Sequence, residues 1–201
     1  PEYPHLVIFV ILLASRGGPH LARKSRSSLS IKLSAAAIAA AVAIQVGNSG
    51  MTVSEAGVDL VMRSEDCRVA VYRDAVGLPT AGCGHLVTDG EYRVGQTLTE
   101  PEIRDLIVDD LSPTVECVNK GIKGIKGSKT TQGQFDAFVD LTFNIGCGRF
   151  LRSTALRCHR NGDAQCATTG IGLWNKAGGR VLSGLVRRRN ADIERYRSRD
   201  E

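Results

Sequence analysis

The chain contains no Cys-x-x-Cys pair and no two histidines at helical spacing, so no sequence pattern supports a zinc site and no metal or cofactor is expected. It also lacks an excess of charge on its body. Of the net +5, most sits in residues 1–50, which hold five basic residues and one acid against 21 basic and 20 acidic residues in the rest. A nearly neutral body argues against a nucleic-acid binder with a basic folded face. There is little strongly apolar sequence: residues 6–14 form an apolar run too short to span a bilayer. No methionine precedes Met51, which is expected of a processed N-terminus or of an imperfect gene start over residues 1–20.

What is present divides the chain into an arm, residues 1–50, and a catalytic-type domain, residues 51–201. After a basic stretch over residues 16–32, residues 33–54 carry no charge at all. As a helix these would extend roughly 33 Å, just enough for a membrane. Their apolar content is weak, with seven alanines and with Gln45, Asn48 and Ser49 near the end. Basic residues followed by an apolar run read as an export signal, the basic side staying cytoplasmic. Three forms are open: a peptide cleaved after Ala43, a lasting anchor, or a marginal anchor that later leaves the bilayer. The low hydrophobicity favours the third. The inner membrane is thus an expected partner.

Six cysteines, at 67, 83, 117, 147, 158 and 166, behind an export signal favour disulfides in an oxidising compartment. Cys158 with Cys166 is the pairing expected first, across the Asn161-Gly162-Asp163 turn.

In the body, Thr52-Val53-Ser54-Glu55 predicts a helix from about residue 53, with Ala56, Leu60 and Val61 on one face and Glu65 at its end. Residues 69–72 read as a short strand, residues 80–86 as another, with turns at Gly77-Leu78-Pro79 and Thr88-Asp89-Gly90. A second capping box, Thr99 to Glu102, opens a helix carrying Ile103, Leu106, Ile107 and Leu111, which Pro113 is expected to break or kink. Residues 120–129 read as an exposed Lys/Gly loop. Residues 132–145 form a helix ended by Gly146, residues 153–160 a shorter one, residues 176–179 a loop and residues 184–197 the last helix. A small β-rich lobe followed by a larger helical lobe is an α+β arrangement, with a natural cleft between.

Glu65, Asp74 and Thr80 carry the chemistry. Glycoside hydrolysis needs one carboxylic acid to protonate the leaving oxygen and a second carboxylate to activate water or stabilise the sugar cation. Glu65, beside apolar surface, can be held protonated by desolvation. Asp74 precedes a turn and stays ionised, and the Thr80 hydroxyl can hold a water.

These three, with Gly82-Cys83-Gly84-His85-Leu86, resemble the phage-type lysozymes, the endolysins of glycoside hydrolase family 24. Phe143-Asn144-Ile145-Gly146, Trp174-Asn175-Lys176-Ala177-Gly178-Gly179 and Gly184-Leu185-Val186-Arg187-Arg188-Arg189 resemble three further elements of that family. The apolar arm resembles the signal-anchor-release segment of some endolysins. The resemblance implies a lysozyme-like α+β fold with the active-site cleft between its lobes. It also implies a muramidase acting on the β-1,4 link between N-acetylmuramic acid and N-acetylglucosamine, with Glu65 as general acid, Asp74 as second carboxylate and Thr80 as water-positioning group. Asn144 and Trp174 are the candidate substrate contacts. Gly82, Gly84, His85, Arg187 and Arg188 are candidate supporting residues, His85 holding the hairpin to a carboxylate and one of Arg187 to Arg189 pairing with Glu65. A monomer that binds peptidoglycan and no nucleic acid, tethered to the inner membrane and then periplasmic, is implied. Cys67, Cys83 and Ser183 depart from the family pattern. A lytic transglycosylase and a non-catalytic peptidoglycan-binding module are the alternative readings.

Overall fold

A computed structural model describes residues 50–88, 90–125 and 130–198. The arm over residues 1–49, residues 126–129 of the Lys/Gly loop, Asp89 of the Thr88–Gly90 turn and residues 199–201 lie outside the described residues. Helix α1 (Glu55–Ser64) is followed by β1 (Arg68–Arg73), β2 (Pro79–Gly82) and β3 (His85–Leu86), and then by the long helix α2 (Glu100–Ile122). Next come α3 (Gln132–Ile145), α4 (Cys147–Phe150), α5 (Thr154–Arg160) and α6 (Ala164–Gly172), the hairpin β4 (Lys176–Ala177) and β5 (Arg180–Val181), and α7 (Ser183–Arg197).

Local chemistry sets most boundaries. The cap of α1 is Ser54, two residues later than the sequence pattern suggests. Its Oγ accepts from the Gly57 N–H at 3.2 Å, and the fully buried Asp136 accepts from its N–H and its hydroxyl. Thr52 is passed over because only Ser54 reaches that carboxylate. Thr99 and Glu102 close the expected capping box of α2, and Thr131 and Gln134 close one on α3. Helix α2 runs unbroken through Pro113. Proline costs a helix the bond to the carbonyl four residues back. Here Pro113 and Asp109 are both exposed, so water can serve the carbonyl that loses its donor. The same helix takes in Lys120 to Ile122, which the sequence pattern assigned to a loop.

The three strands form one antiparallel sheet in the order β1-β2-β3, with Tyr72 opposite Thr80 and Ala81 opposite His85. The expected strand over residues 80–86 is therefore two strands, broken at Cys83-Gly84. The expected loop at residues 176–179 is a short hairpin, Lys176 paired with Val181.

Two cores result. Val71, Ala81, Val87, Leu98, Ile103 and Leu106 bury together under the sheet. Val61, Ile107, Leu111, Val118, Phe135, Phe138, Leu141, Phe150, Leu156 and Ile171 belong to the larger helical core. Helix α2 serves both: its first turns cover the sheet and its later turns enter the helical lobe. Disulfides Cys117–Cys147 and Cys158–Cys166 staple that lobe, the second as expected, and Cys67–Cys83 staples the sheet to the end of α1.

Within the helical core, His159 stacks edge-on against Phe138 and its ring nitrogens meet the Tyr196 hydroxyl at 2.6 Å and the Thr130 hydroxyl at 2.9 Å. Burial lowers its pKa from 6.5 to about 4. Between those values the unfolded chain binds a proton that the folded chain refuses, so stability falls as pH drops through this window. Thermal unfolding from neutral pH down to about pH 4 is expected to show that decline. A His159→Gln variant, less stable at neutral pH, is expected to show a shallower slope.

Candidate active site

Glu65 is the residue at which α1 ends. Its backbone is extended, at φ −105° and ψ 150°, and its N–H still bonds the Val61 and Met62 carbonyls. The Cys67 N–H then bonds the Glu65 carbonyl at 3.0 Å. The Glu65 side chain, 27% exposed, meets Arg188 of α7 with Oε1 accepting from Nη1 at 2.7 Å. Among the described residues Oε2 has no partner, which leaves it free to face a substrate oxygen. Burial raises the pKa of Glu65, and the Arg188 charge and hydrogen bond only partly oppose it. The result is a carboxyl group that holds its proton above the ordinary range, as a general acid must.

Arg188 is itself fixed from behind. Its Nε and Nη2 donate to both oxygens of the fully buried Asp140 at 2.9 Å each. Burial would lower the Arg188 pKa, but Asp140 and Glu65 raise it beyond its usual value. Arg189 donates to the Asn144 Oδ1 at 2.9 Å and to Asp140 at 3.3 Å, and its Nε lies 2.8 Å from Asp192. Asp192, fully buried, has its pKa raised well above normal by burial and then by the neighbouring Asp140. Asp140 and Asn144 sit four residues apart on α3, and Arg188, Arg189 and Asp192 share a face of α7, so two helices zip through one buried charge network.

Asp74 follows β1 directly. One carboxylate oxygen accepts from the Val76 and Leu78 N–H groups at 2.9 and 2.8 Å, closing the turn that leads into β2. The other oxygen, Oδ2, has no hydrogen-bond partner among the described residues. Thr80, in β2 opposite Tyr72, is 3% exposed and donates its hydroxyl to the Leu78 carbonyl at 3.1 Å. Its proton is thus spent inward, and what it can offer a water is an acceptor.

The hairpin beyond Thr80 needs its glycines. Gly84 turns the chain at φ +106°, and Gly82 at φ +54° leaves only 3.2 Å between a would-be Cβ and Ile103. His85 bridges Asp110 of α2 at 3.0 Å and Glu91 at 3.1 Å. Burial acts to lower its pKa, but the bonds to the two carboxylates outweigh it and raise it. These contacts tie the hairpin to α2 and to Glu91. Cys67–Cys83 closes a loop that contains Asp74 and Thr80 and begins two residues after Glu65. Replacing both cysteines by serine is expected to cost about 3 kcal/mol through loop entropy. The loss would show as a lower denaturant midpoint, with a fall in kcat because the loop carries two of the three site residues.

Of the sequence-derived supporting residues, Arg188 holds Glu65 but Arg187 does not: it is exposed and forms no ion pair among the described residues. Arg189, three positions from Asp192, takes the place beside Arg188 on the face toward α3, whereas Arg187, five positions from Asp192, lies on the exposed side. Asn144 supports Arg189. Trp174 packs against the helical core and borders a shallow cavity with Arg152, Ser153, Thr154, Gly170 and Leu173. Asp140, Asp192 and the Cys67–Cys83 link were not read from the sequence. The spacing of Asp140 to Asn144 and of Arg188 to Asp192 was the signal available.

A small antiparallel lobe and a helical lobe, with a half-buried carboxyl at a helix end, make this an α+β domain of the lysozyme-like class. A model of the phage lysozyme family matches residues 62–192, and the chain belongs to that family. An endolysin of Bacillus phage PZA is 35% identical over 144 residues, covering 69% of this chain and 52% of its own length. The chain thus spans about half the length of that relative. A SAR-endolysin of Bacteriophage PS119 is 35% identical over 128 residues, 64% of this chain and 73% of its own length. Among solved structures, an endolysin of the Escherichia coli phage FAHEc1 superposes with a TM-score of 0.63 at 30% identity, covering 73% of this chain and 94% of the other.

Proposed function

We propose that this chain is a muramidase endolysin that hydrolyses the β-1,4 link between N-acetylmuramic acid and N-acetylglucosamine in peptidoglycan. The observation that carries the reading is the Glu65 carboxyl, with its raised pKa, one oxygen held by Arg188 and the other free. Glu65 protonates the leaving glycosidic oxygen. Asp74, through its unpartnered oxygen, activates water or stabilises the sugar cation, and Thr80 accepts a hydrogen bond from that water. Asn144, placed by Arg189, is the proposed sugar contact; Trp174 packs against the helical core beside Arg152 and is not assigned one. Gly82, Gly84, His85 and Arg188 keep these groups in place.

For location, the weakly apolar arm and relatives named SAR-endolysins support tethering at the inner membrane followed by release to the periplasm. No helix among the described residues is long and apolar enough to cross a membrane.

The test is mass spectrometry of muropeptides released from purified peptidoglycan. Products with a reducing sugar end, one water heavier than the anhydro form, are expected. Anhydro products would make the chain a lytic transglycosylase, and binding without products would make it a peptidoglycan-binding module.

A further inference from the structure

Between Glu116 and Asp163 the chain carries eight lysines and arginines and only two acids, Asp136 and Asp140. Both acids are fully buried and consumed by Arg195, Arg188 and Arg189. Among the described residues, the exposed charges of this stretch are therefore all cationic, although the body as a whole is nearly neutral. The fold gathers it. Cys117–Cys147 ties the end of α2 to α4, and Arg160 of α5 donates to the Gly121 carbonyl of α2 at 2.8 Å. Lys120, Lys123, Arg149, Arg152, Arg157 and Arg160 are all exposed, and none forms an ion pair among the described residues. Asp163, the first acid beyond, is engaged at the start of α6, where it accepts from the Cys166 N–H at 2.8 Å.

Two adjoining cavities lie on this surface. One, of about 390 Å³, is lined by Leu151, Arg152, Ser153, Arg157, Arg160 and Asn161. The second, of about 270 Å³, shares Arg152 and Ser153 and adds the 65%-exposed Leu173 and the half-buried Trp174. An exposed leucine and a tryptophan edge rimmed by arginines are the combination that settles at a lipid headgroup layer, apolar groups inward and cations on phosphates. A nucleic acid or a phosphorylated glycan would use the arginines but leave Leu173 without a purpose.

We propose that this face docks on a membrane surface of anionic phospholipids, with Arg152, Arg157 and Arg160 on the headgroup phosphates and Leu173 and Trp174 at the acyl boundary. In sequence the uncharged residues 33–49 immediately precede Gly50, and the membrane tethering proposed above would bring the body to such a surface. Docking holds the body against the bilayer by contacts of its own. It does not rest on the muramidase reading.

Trp174 is the chain's single tryptophan, so its fluorescence is blind to insertion of the arm. The full chain is mixed with vesicles of phosphatidylcholine, or of phosphatidylcholine with phosphatidylglycerol, each with brominated acyl chains as quencher. Quenching and a blue shift of Trp174 are expected only with the anionic vesicles. They are expected to disappear at about 0.5 M salt, where screening is nearly complete. Apparent affinity, read from that quenching, is expected to drop about tenfold or more in the triple variant Arg152→Gln, Arg157→Gln, Arg160→Gln. Leu173→Asp is expected to abolish quenching. Activity of both variants on isolated peptidoglycan is expected to stay at the level of the parent, which also shows that they fold. Equal quenching in both vesicle types, or a triple variant that quenches like the parent, would overturn the proposal. So would a Trp174 response to a soluble oligonucleotide or phosphorylated glycan without one to vesicles. If the triple variant does not fold, the vesicle comparison and the salt titration of the parent decide alone.

Discussion

Glu65→Gln is expected to lower peptidoglycan hydrolysis about a thousandfold, the range of a lost general acid, while the chain stays folded. Glutamine keeps the shape and can still accept from Arg188, but it has no proton to deliver to the leaving oxygen. Arg188 is not orphaned, because Asp140 holds it with two bonds at 2.9 Å. Clearing of chloroform-treated Gram-negative cells, read beside the thermal midpoint, separates loss of chemistry from loss of fold. Retained clearing would remove Glu65 from the role of acid. The parent chain should also show the sign of the Glu65 shift. Burial raises the Glu65 value, so the active, protonated form persists above the usual carboxylate range and activity falls as pH rises through the raised value. Linkage runs the same way: the stability this group adds is complete at low pH and lost as pH rises through the folded value.

Asp140→Asn is expected to do two things at once. It removes the charge that two buried arginines share, and breaking a buried pair from one side costs about 3–5 kcal/mol. It also removes a negative charge that pushes the Glu65 pKa up, and it leaves Arg188 to act on Glu65 alone. Both changes lower the Glu65 pKa, so the basic limb of the pH–activity profile should move to lower pH. Denaturant unfolding measures the first effect and the pH profile of kcat/KM the second. A variant that only loosened the fold would lose stability with the limb unmoved. Arg187→Gln is the control, exposed and outside the network, and is expected to change stability by less than about 0.5 kcal/mol.

The two effects meet because the acid is set by two opposed forces. Desolvation alone would make Glu65 too reluctant to ionise after proton transfer. Arg188 alone would strip its proton before the reaction. Asp140 tempers Arg188, and burial beside Asp140 raises the Asp192 pKa well above its usual value. The polar network is buried, hydrogen-bonded and aimed at one oxygen of Glu65, which is how a helix pair distant from the sheet comes to tune the chemistry.

Much of this was legible in the order of residues. The capping box at Thr99, the glycine that ends α3 and the turn at Asp74 depend on contacts within a few positions, and a linear reading reaches those. The same locality explains the Cys158–Cys166 pair. Where the linear reading failed, a distant partner had decided. Ser54 rather than Thr52 caps α1 because Asp136, 82 positions away, waits for it. Helix α2 survives Pro113 because the carbonyl that loses its donor faces water. The second strand stops at Gly82 because the hairpin must turn there to bring Cys83 to Cys67 and His85 to Asp110.

The sequence by itself singled out Glu65, Asp74 and Thr80 as the residues proposed for the acid, the second carboxylate and the water-holding hydroxyl. It also determined an arm distinct in charge from the body. The tertiary structure alone decided which arginine holds Glu65, since Arg188 lies 123 positions away and three consecutive arginines look alike until α7 packs on α3. It decided too that Asp136, Asp140 and Asp192 are buried while every lysine and arginine from 120 to 160 that is described stays exposed. Charge written along a chain has no inside or outside. Packing gives it one, and with it both a tuned acid and a one-signed surface.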